Sequence, residues 1–145
     1  MKAIIFDWIG SLYDREEGVL PWAYDVLMET EFKKYKIGLI SIAYENEERM
    51  NEINKSGLTH FFDKIIIDDK KSEKQYLECI SFLGSTPEET YIVDDRTIRG
   101  IAIGNKLGCK TIWIQRGQYA TELPDEKTGE PTYKVEFIGE ILGWL

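Results

Sequence analysis

The sequence contains few of the residues that build metal-bound or cross-linked scaffolds. It has two cysteines, Cys79 and Cys109, and one histidine, His60, among 145 residues. A structural zinc site needs about four such ligands, and a disulfide scaffold needs several cysteine pairs. Neither is expected, and the free thiols predict a reducing, cytoplasmic location.

Long apolar runs are also absent. Only four apolar residues, Ala3 to Phe6, follow Lys2 before an acid interrupts them, which is too short for the apolar core of a signal peptide. The longest apolar stretch, Ile37 to Tyr44, is far below the roughly 20 residues of a membrane span. We therefore expect no membrane association.

Basic charge is in deficit. Lys and Arg number 18 against 26 Asp and Glu, which gives a net charge of −8. An electrostatic grip on nucleic acid needs a basic face, so none is expected. A small phosphorylated substrate is still compatible with this charge, because one local pocket can oppose the global field.

The length and the 43% hydrophobic content predict one domain over residues 1–145.

Short apolar runs alternate with longer amphipathic segments along the chain. The apolar runs predict buried strands, and this alternation is typical of parallel sheets. We predict an α/β domain: a three-layer, Rossmann-like fold with a parallel sheet of about five strands flanked by helices. The predicted strands are Lys2–Trp8, Ile37–Ala43, Lys64–Ile67, Thr90–Val93 and Lys110–Ile114.

Four helices are predicted between these strands. Ser72 followed by Gln75 predicts a capping box that opens the third one. The polar stretch Gln115 to Tyr133 predicts a long loop, and a short strand and helix between Val135 and Leu145 are expected to close the chain. The predicted helices are 21–32, 46–56, 72–84 and 98–107.

Acids, a hydroxyl and a lysine follow successive predicted strands. Asp7 ends the first strand, Ser41 the second, Lys71 follows the third, and Asp94 and Asp95 follow the fourth. The carboxyl ends of parallel strands gather functional groups at one edge of the sheet. Mg²⁺ prefers carboxylate oxygens, and phosphate binds hydroxyl and ammonium groups. This set predicts phosphoryl transfer assisted by magnesium, with a carboxylate as a possible nucleophile.

Four segments resemble, in order, the motifs of the haloacid dehalogenase-like superfamily. Ile4 to Leu12, IIFDWIGSL, resembles its first motif, an apolar strand followed by Asp-x-Asp-Gly-Thr-Leu. Leu39 to Ser41 resembles the second motif, Lys71-Ser72 the third, and Tyr91 to Arg96 the fourth. The resemblance covers nearly the whole chain and implies a small hydrolase of this superfamily.

The resemblance implies catalytic roles for three side chains. Asp7 would be the nucleophile, Ser41 would bind the transferring phosphoryl group, and Lys71 would neutralise its charge and hold Asp7. The lysine position is shared among Lys70, Lys71 and Lys74, and Lys71 is preferred because it directly precedes the predicted helix cap. The implied substrate is a phosphorylated compound of unknown identity.

The resemblance also implies a magnesium site. Its ligands would be Asp7, the backbone carbonyl of Ile9, and Asp95, with Asp94 close by. In the superfamily a second aspartate, the general acid and base, occupies the position of Ile9. Loss of such acid–base assistance typically costs about 10²–10⁴ in rate. A further acid usually lies where this chain has Gly100, so a weaker metal site is expected.

Too few residues separate the motifs to hold a cap domain. A capless member leaves its site open, which suits a large substrate or a lid supplied by a second copy of the chain in a homo-oligomer.

Three functions compete: a magnesium-dependent phosphatase, slowed by Ile9; a catalytically weakened module that binds a phosphorylated ligand or a protein; and a phosphoacceptor signalling domain. The signalling domain is disfavoured because in such domains the acid pair follows the first strand, whereas in this chain it follows the fourth.

Overall fold

The strands and helices alternate through most of the chain. The computed structural model describes all residues, 1–145. The strands are β1 (Ala3–Phe6), β2 (Tyr13–Asp14), β3 (Gly18–Val19), β4 (Lys36–Ile42), β5 (Lys64–Asp68), β6 (Thr90–Asp94), β7 (Lys110–Ile114) and β8 (Tyr133–Val135). The helices are α1 (Ala23–Phe32), α2 (Asn46–Ser56), α3 (Glu73–Phe82) and α4 (Ala102–Leu107).

One parallel six-stranded sheet organises the molecule, in the order β5-β4-β1-β6-β7-β8. The predicted α/β class is confirmed, and all five predicted strands belong to this sheet. β1 lies at its centre, where Phe6 pairs with Leu39 on β4 and with Val93 on β6. The carboxyl ends of these three strands therefore meet at one place.

The sixth strand, β8, is the short closing strand that was expected from Val135. It begins two residues earlier, at Tyr133, and pairs in parallel with β7. Reciprocal hydrogen bonds between Thr111 and Thr132 lead into this pairing, because each backbone N–H donates to the other hydroxyl oxygen, at 2.9 and 3.1 Å. A separate antiparallel hairpin of β2 and β3 follows β1. Its two-residue strands are too short to produce a periodic sequence signal.

Two hydrophobic clusters cover the two faces of the sheet. Side chains of β1 alternate between them: Ile4 and Phe6 join the larger cluster, and Ala3 and Ile5 the smaller. Cys79 and Cys109 are buried free thiols of the smaller cluster. This alternation gives β1 apolar packing on both faces, as expected for a central parallel strand.

The segment after β6 differs from the predicted helix. It begins with a π-helical turn, Thr97–Ile101, before the shorter α4. Ile98, where the predicted helix begins, lies inside this turn and is 56% exposed. No helix of the molecule has both the length and the apolar character that a membrane crossing requires.

Gly104 lets α4 pack closely against the sheet, and its replacement tests that contact. A Cβ there would lie 2.6 Å from the Thr111 methyl and 2.9 Å from Ile92 Cδ1. We expect Gly104→Ala to lower the free energy of unfolding by about 1–3 kcal/mol, because overpacking outweighs the gain in helix propensity. Urea denaturation measures the change.

The matched control is Lys106→Ala on the same helix. Lys106 makes only an exposed ion pair with Glu73, so its loss is expected to change stability by less than about 0.5 kcal/mol. A Gly104→Ala protein as stable as the native one would show that the helix can move away from the sheet at no cost.

Candidate active site

The backbone ladder fixes Asp7 at the centre of the sheet edge. Its N–H donates to the Val93 carbonyl at 3.0 Å, which extends the pairing of β1 with β6 by one residue. Ser41 lies on the other side, two residues beyond the β4 partner of Phe6. Both Asp7 and Ser41 are buried. The structure thus brings the two predicted residues to adjoining strand ends.

The start of α3 delivers Lys71 to this edge. The predicted capping box is present, with the Ser72 N–H donating to Gln75 Oε1 at 2.9 Å. Gln75 Nε2 in turn donates to Asp68 at the end of β5, at 2.8 Å. The box therefore anchors the helix start to the sheet and fixes the residue immediately before it.

Lys71 is the lysine that reaches the acids. Its Nζ donates to Asp7 Oδ1 at 2.8 Å and to Asp94 Oδ2 at 3.1 Å, and its side chain is 2% exposed. Lys70 and Lys74 are exposed. The structure therefore separates Lys71 from the two lysines that the sequence left as alternatives.

Three buried carboxylates converge beside this ammonium group. Asp7, Asp94 and Asp95 each offer an oxygen within 4.8 Å of the others. Asp94 is fully enclosed and accepts hydrogen bonds from the backbone N–H groups of Arg96 and Gly100, at 3.1 and 2.9 Å. The backbone carbonyl of Asp95 accepts from the Trp113 indole at 3.0 Å. Asp94 thus has fixed donors within the protein.

Two glycines leave the space that these carboxylates occupy. A Cβ on Gly10 would lie 2.2 Å from Asp95 Oδ2, and one on Gly100 would lie 2.4 Å from Asp94 Oδ2. Gly10 also has a φ of 89°, which a side chain would strain. The lack of an acid at position 100 is therefore not simply a loss, because the Asp94 carboxylate fills the adjoining space.

Burial and mutual repulsion change the acidity of the cluster. Burial raises the pKa of Asp7 to about 6; Asp94 adds to this rise and Lys71 opposes it. Burial, together with the charges of Asp7 and Asp94, raises the pKa of Asp95 to about 9. Burial acts to raise the pKa of Asp94 too, but Lys71 and the backbone donors hold it below its usual range.

Lys71 responds in the opposite sense. Burial alone acts to lower its pKa, but the carboxylates of Asp7 and Asp94 raise it well above the usual value. The ammonium group is therefore charged throughout the neutral range. One positive charge faces three acids, which leaves the cluster suited to a further cation.

Ile9 places an apolar side chain where an acid is usual in the resembled motif. No hydrogen bond in the chain uses its backbone carbonyl, whereas the neighbouring Trp8 carbonyl accepts three, from Ser11, Leu12 and Tyr13. The Ile9 carbonyl is therefore free of protein donors. Near this carbonyl, Ser11 Oγ donates to Asp7 Oδ2 at 3.4 Å.

A second polar network, centred on Arg49, borders the site. Arg49 Nη1 donates to the Ser41 hydroxyl and, at 2.9 Å, to the Ile42 carbonyl. Its Nε lies 3.3 Å from Glu52 Oε1, which accepts from the Trp8 indole at 2.8 Å. Arg49 does not stand out in the sequence, because it lies in a helix rich in charged residues, where most charged side chains are solvated.

The long loop is fastened beside Asp95. Glu122 pairs with Arg96 at 3.0 Å and also accepts hydrogen bonds from Thr97 and the N–H of Ile98. The Arg96 guanidinium stacks on the Tyr119 ring, 3.7 Å from its centroid. The segment 119–122 therefore lies against the turn that follows β6.

Comparison with known proteins agrees with this geometry. Residues 14–114 match the family of haloacid dehalogenase-like hydrolases. The chain belongs to that family. The matched segment includes Ser41, Lys71, Asp94 and Asp95, while Asp7 lies just upstream of it.

One curated relative and two solved structures illustrate the similarity. The glyceraldehyde 3-phosphate phosphatase of Pyrococcus furiosus is 26% identical over 128 residues. The match covers 85% of this chain but only 52% of the relative, so the chain spans about half of that protein's length.

The structural matches are more complete. The HAD phosphatase of Thermococcus onnurineus superposes with a TM-score of 0.78 at 19% identity, covering 99% of this chain and 98% of the other. A HAD-superfamily hydrolase of Ehrlichia chaffeensis gives a TM-score of 0.75 at 16% identity, with coverage of 99% and 97%. At these identities the two structures establish the fold.

The raised acidities predict how the stability of the metal-free protein depends on pH. Asp7 and Asp95 have folded-state pKa values of about 6 and 9 against a usual 3.8, so the folded state binds more protons than the unfolded state. Stability should therefore fall as the pH rises from 5 to 8. Asp94, with a lowered pKa, and Lys71, with a raised one, titrate outside this window.

We expect Asp95→Asn to flatten this fall. Thermal unfolding in the presence of a chelator, measured at several pH values, gives the slope for each protein. Asp69→Asn removes an exposed aspartate and should retain the native slope. Equal slopes for native and Asp95→Asn proteins would contradict the assigned acidity of Asp95.

Proposed function

We propose that this protein is a magnesium-dependent phosphatase that acts through an aspartyl phosphate on Asp7. The observation that carries this proposal is the contact of Lys71 with Asp7 and Asp94, inside a cluster completed by Asp95. A buried carboxylate held by an ammonium group, with a hydroxyl on the next strand, supplies a nucleophile and donors for phosphate oxygens.

The donor set of the cluster fits Mg²⁺. Three carboxylates within 4.8 Å and a carbonyl free of protein donors are hard oxygen ligands. Asp7, Asp95 and the Ile9 carbonyl would hold the ion, while Asp94 is already occupied by Lys71 and two N–H groups. When bound, the ion would supply positive charge that offsets the acids and the incoming phosphate.

The chain's own residues account for the two chemical steps. An Asp7 oxygen attacks phosphorus, the ester P–O bond breaks, and the leaving oxygen takes a proton from water. Water then attacks the aspartyl phosphate, which releases inorganic phosphate and a proton and restores Asp7. The Ser41 hydroxyl and the Lys71 ammonium hold the phosphoryl oxygens through both steps.

Ile9 sets the expected rate. An isoleucine neither protonates the leaving oxygen nor activates the attacking water, so both steps proceed without side-chain acid–base assistance. The same feature favours a second candidate function, a module that binds a phosphorylated ligand without turnover. Retention of Asp7, Ser41, Lys71 and Asp95 favours the phosphatase, since binding alone does not require a nucleophile.

The substrate class we propose is a phosphate monoester. The name of the Pyrococcus furiosus relative supports testing glyceraldehyde 3-phosphate among small phosphorylated compounds. Asp7 and Ser41 are buried at the carboxyl ends of their strands. Their burial supports recognition of the small phosphoryl group and not of the rest of the substrate.

Replacement of the nucleophile tests the proposal directly. With Mg²⁺ and an aryl phosphate, whose leaving group needs no acid, we expect a burst of aryl alcohol about equal to the enzyme concentration, followed by slow turnover. Asp7→Asn should abolish the burst, and rapid-mixing absorbance measurements record it. Asp69→Asn is the control and should keep the burst, because Asp69 is exposed outside the cluster. A burst of native size in Asp7→Asn would refute the proposed nucleophile, and the absence of product from native protein would favour the binding module.

Restoring an acid at position 9 tests the assigned cause of slow turnover. We expect Ile9→Asp to raise the steady-state rate by about 10²-fold to 10⁴-fold, because a carboxylate there can activate water. The control is Ile9→Asn, because asparagine has nearly the size of aspartate but cannot take up a proton. Similar rates for the two variants would show that polarity, not proton transfer, limits the native protein.

A further inference from the structure

Arg49 is the other cationic side chain in direct contact with a predicted site residue. Its side chain is 11% exposed, and its Nη1 hydrogen-bonds to the Ser41 hydroxyl at the end of β4. Nothing in the motifs that identify the family assigns a role to this helix position.

The surroundings of Arg49 fix its guanidinium in place. Nη1 also donates to the Ile42 carbonyl at 2.9 Å, and Nε lies 3.3 Å from Glu52. Glu52 is held by the indole of Trp8, the residue directly after Asp7. A continuous chain of polar contacts therefore joins the neighbour of the proposed nucleophile to the proposed phosphate-binding hydroxyl.

The direction of the hydrogen bond determines what Ser41 can do. A hydroxyl has one hydrogen to donate, and a guanidinium can only donate, so Ser41 accepts from Arg49 and keeps its own hydrogen. A phosphoryl oxygen that takes this hydrogen lies about 2.7 Å from Oγ. Such an oxygen is also within about 5 Å of the guanidinium, where the positive charge attracts it.

We propose that Arg49 is a positioning residue for phosphoryl binding: it orients the Ser41 hydroxyl toward the phosphoryl group and adds positive charge beside it. This inference rests on the proposed function and adds a residue that the protein needs to bind the phosphoryl group tightly. Lys71 is held between two carboxylates, whereas Arg49 faces one, Glu52, so its guanidinium adds positive charge on the Ser41 side to what Lys71 and a bound cation would supply.

Binding of inorganic phosphate in the presence of Mg²⁺ tests the role without requiring turnover. By titration calorimetry, we expect Arg49→Ala to weaken phosphate binding by about 10-fold to 100-fold, the loss typical of a hydrogen bond to a charged group. Lys55→Ala, which removes an exposed positive charge from the same helix, should weaken it by less than about twofold.

A double-mutant cycle separates positioning from a structural effect. If Arg49 acts through Ser41, Arg49→Ala should cost much less affinity when Ser41 is already alanine. Arg49→Lys keeps the charge without the fixed fork of donors and should retain only part of the affinity. Added guanidinium at millimolar concentration should partly restore binding to Arg49→Ala but not to Lys55→Ala or the native protein, with sodium chloride as the salt control.

The outcomes distinguish this inference from the proposed function. Equal phosphate affinity in native and Arg49→Ala proteins, additive losses with Ser41→Ala, or no phosphate binding by native protein would each overturn the role of Arg49. Should native protein bind phosphate, lose that binding on Arg49→Ala and yet never hydrolyse an ester, the proposed function fails while the role of Arg49 stands.

Discussion

The contact of one buried ammonium group with two buried carboxylates is the constraint on which the site depends. Lys71 holds Asp7 and Asp94 together, and without it three acids would share a nearly dry space. Removing charges from water is costly, and a buried charge without a partner costs more than the pair. The fold offsets this cost with the capped start of α3, which places Lys71, and with two backbone N–H groups that donate to Asp94.

Glycine makes this arrangement sterically possible. Gly10 and Gly100 come from different segments, yet each leaves room for one carboxylate of the same cluster. Asp94 and Gly100 belong together physically, because the side chain at the strand end occupies the space that a side chain on the following turn would need. Gly100, which in the sequence looks like a missing metal ligand, is therefore the residue that leaves room for the Asp94 carboxylate in the structure.

Most of the fold could be predicted from the sequence, because its signals are local. The strand Lys110–Ile114 and the helix Asn46–Ser56 have the predicted bounds, since continuous apolar runs and a terminal glycine mark them. The gathering of Asp7, Ser41, Lys71 and Asp95 at one edge was expected because the carboxyl ends of parallel strands share an edge of the sheet, although their chemical roles stay predictions. The single-domain extent, the cytoplasmic location and the partners also stay predictions.

The remaining features depend on contacts between distant segments. The hydrogen bond of Trp8 to Glu52 spans 44 residues, and Glu52 in turn is one of the groups that hold Arg49, together with Ser41 and Ile42. Within the π-helical turn at Thr97–Ile101, the Gly100 N–H donates to the enclosed carboxylate of Asp94, six residues earlier. No periodicity in the sequence reports such contacts, so a residue like Arg49 is read from sequence as one more surface charge.

The hydrogen bond from the Asp7 N–H to the Val93 carbonyl has a consequence for motion. It makes the proposed nucleophile the last rung of the ladder between the two central strands of the sheet. Central ladders are the slowest parts of a protein to open to solvent and usually do so only when the whole domain unfolds. The acids are therefore not carried on a segment that can melt and re-form by itself: the centre and the fold are gained and lost together.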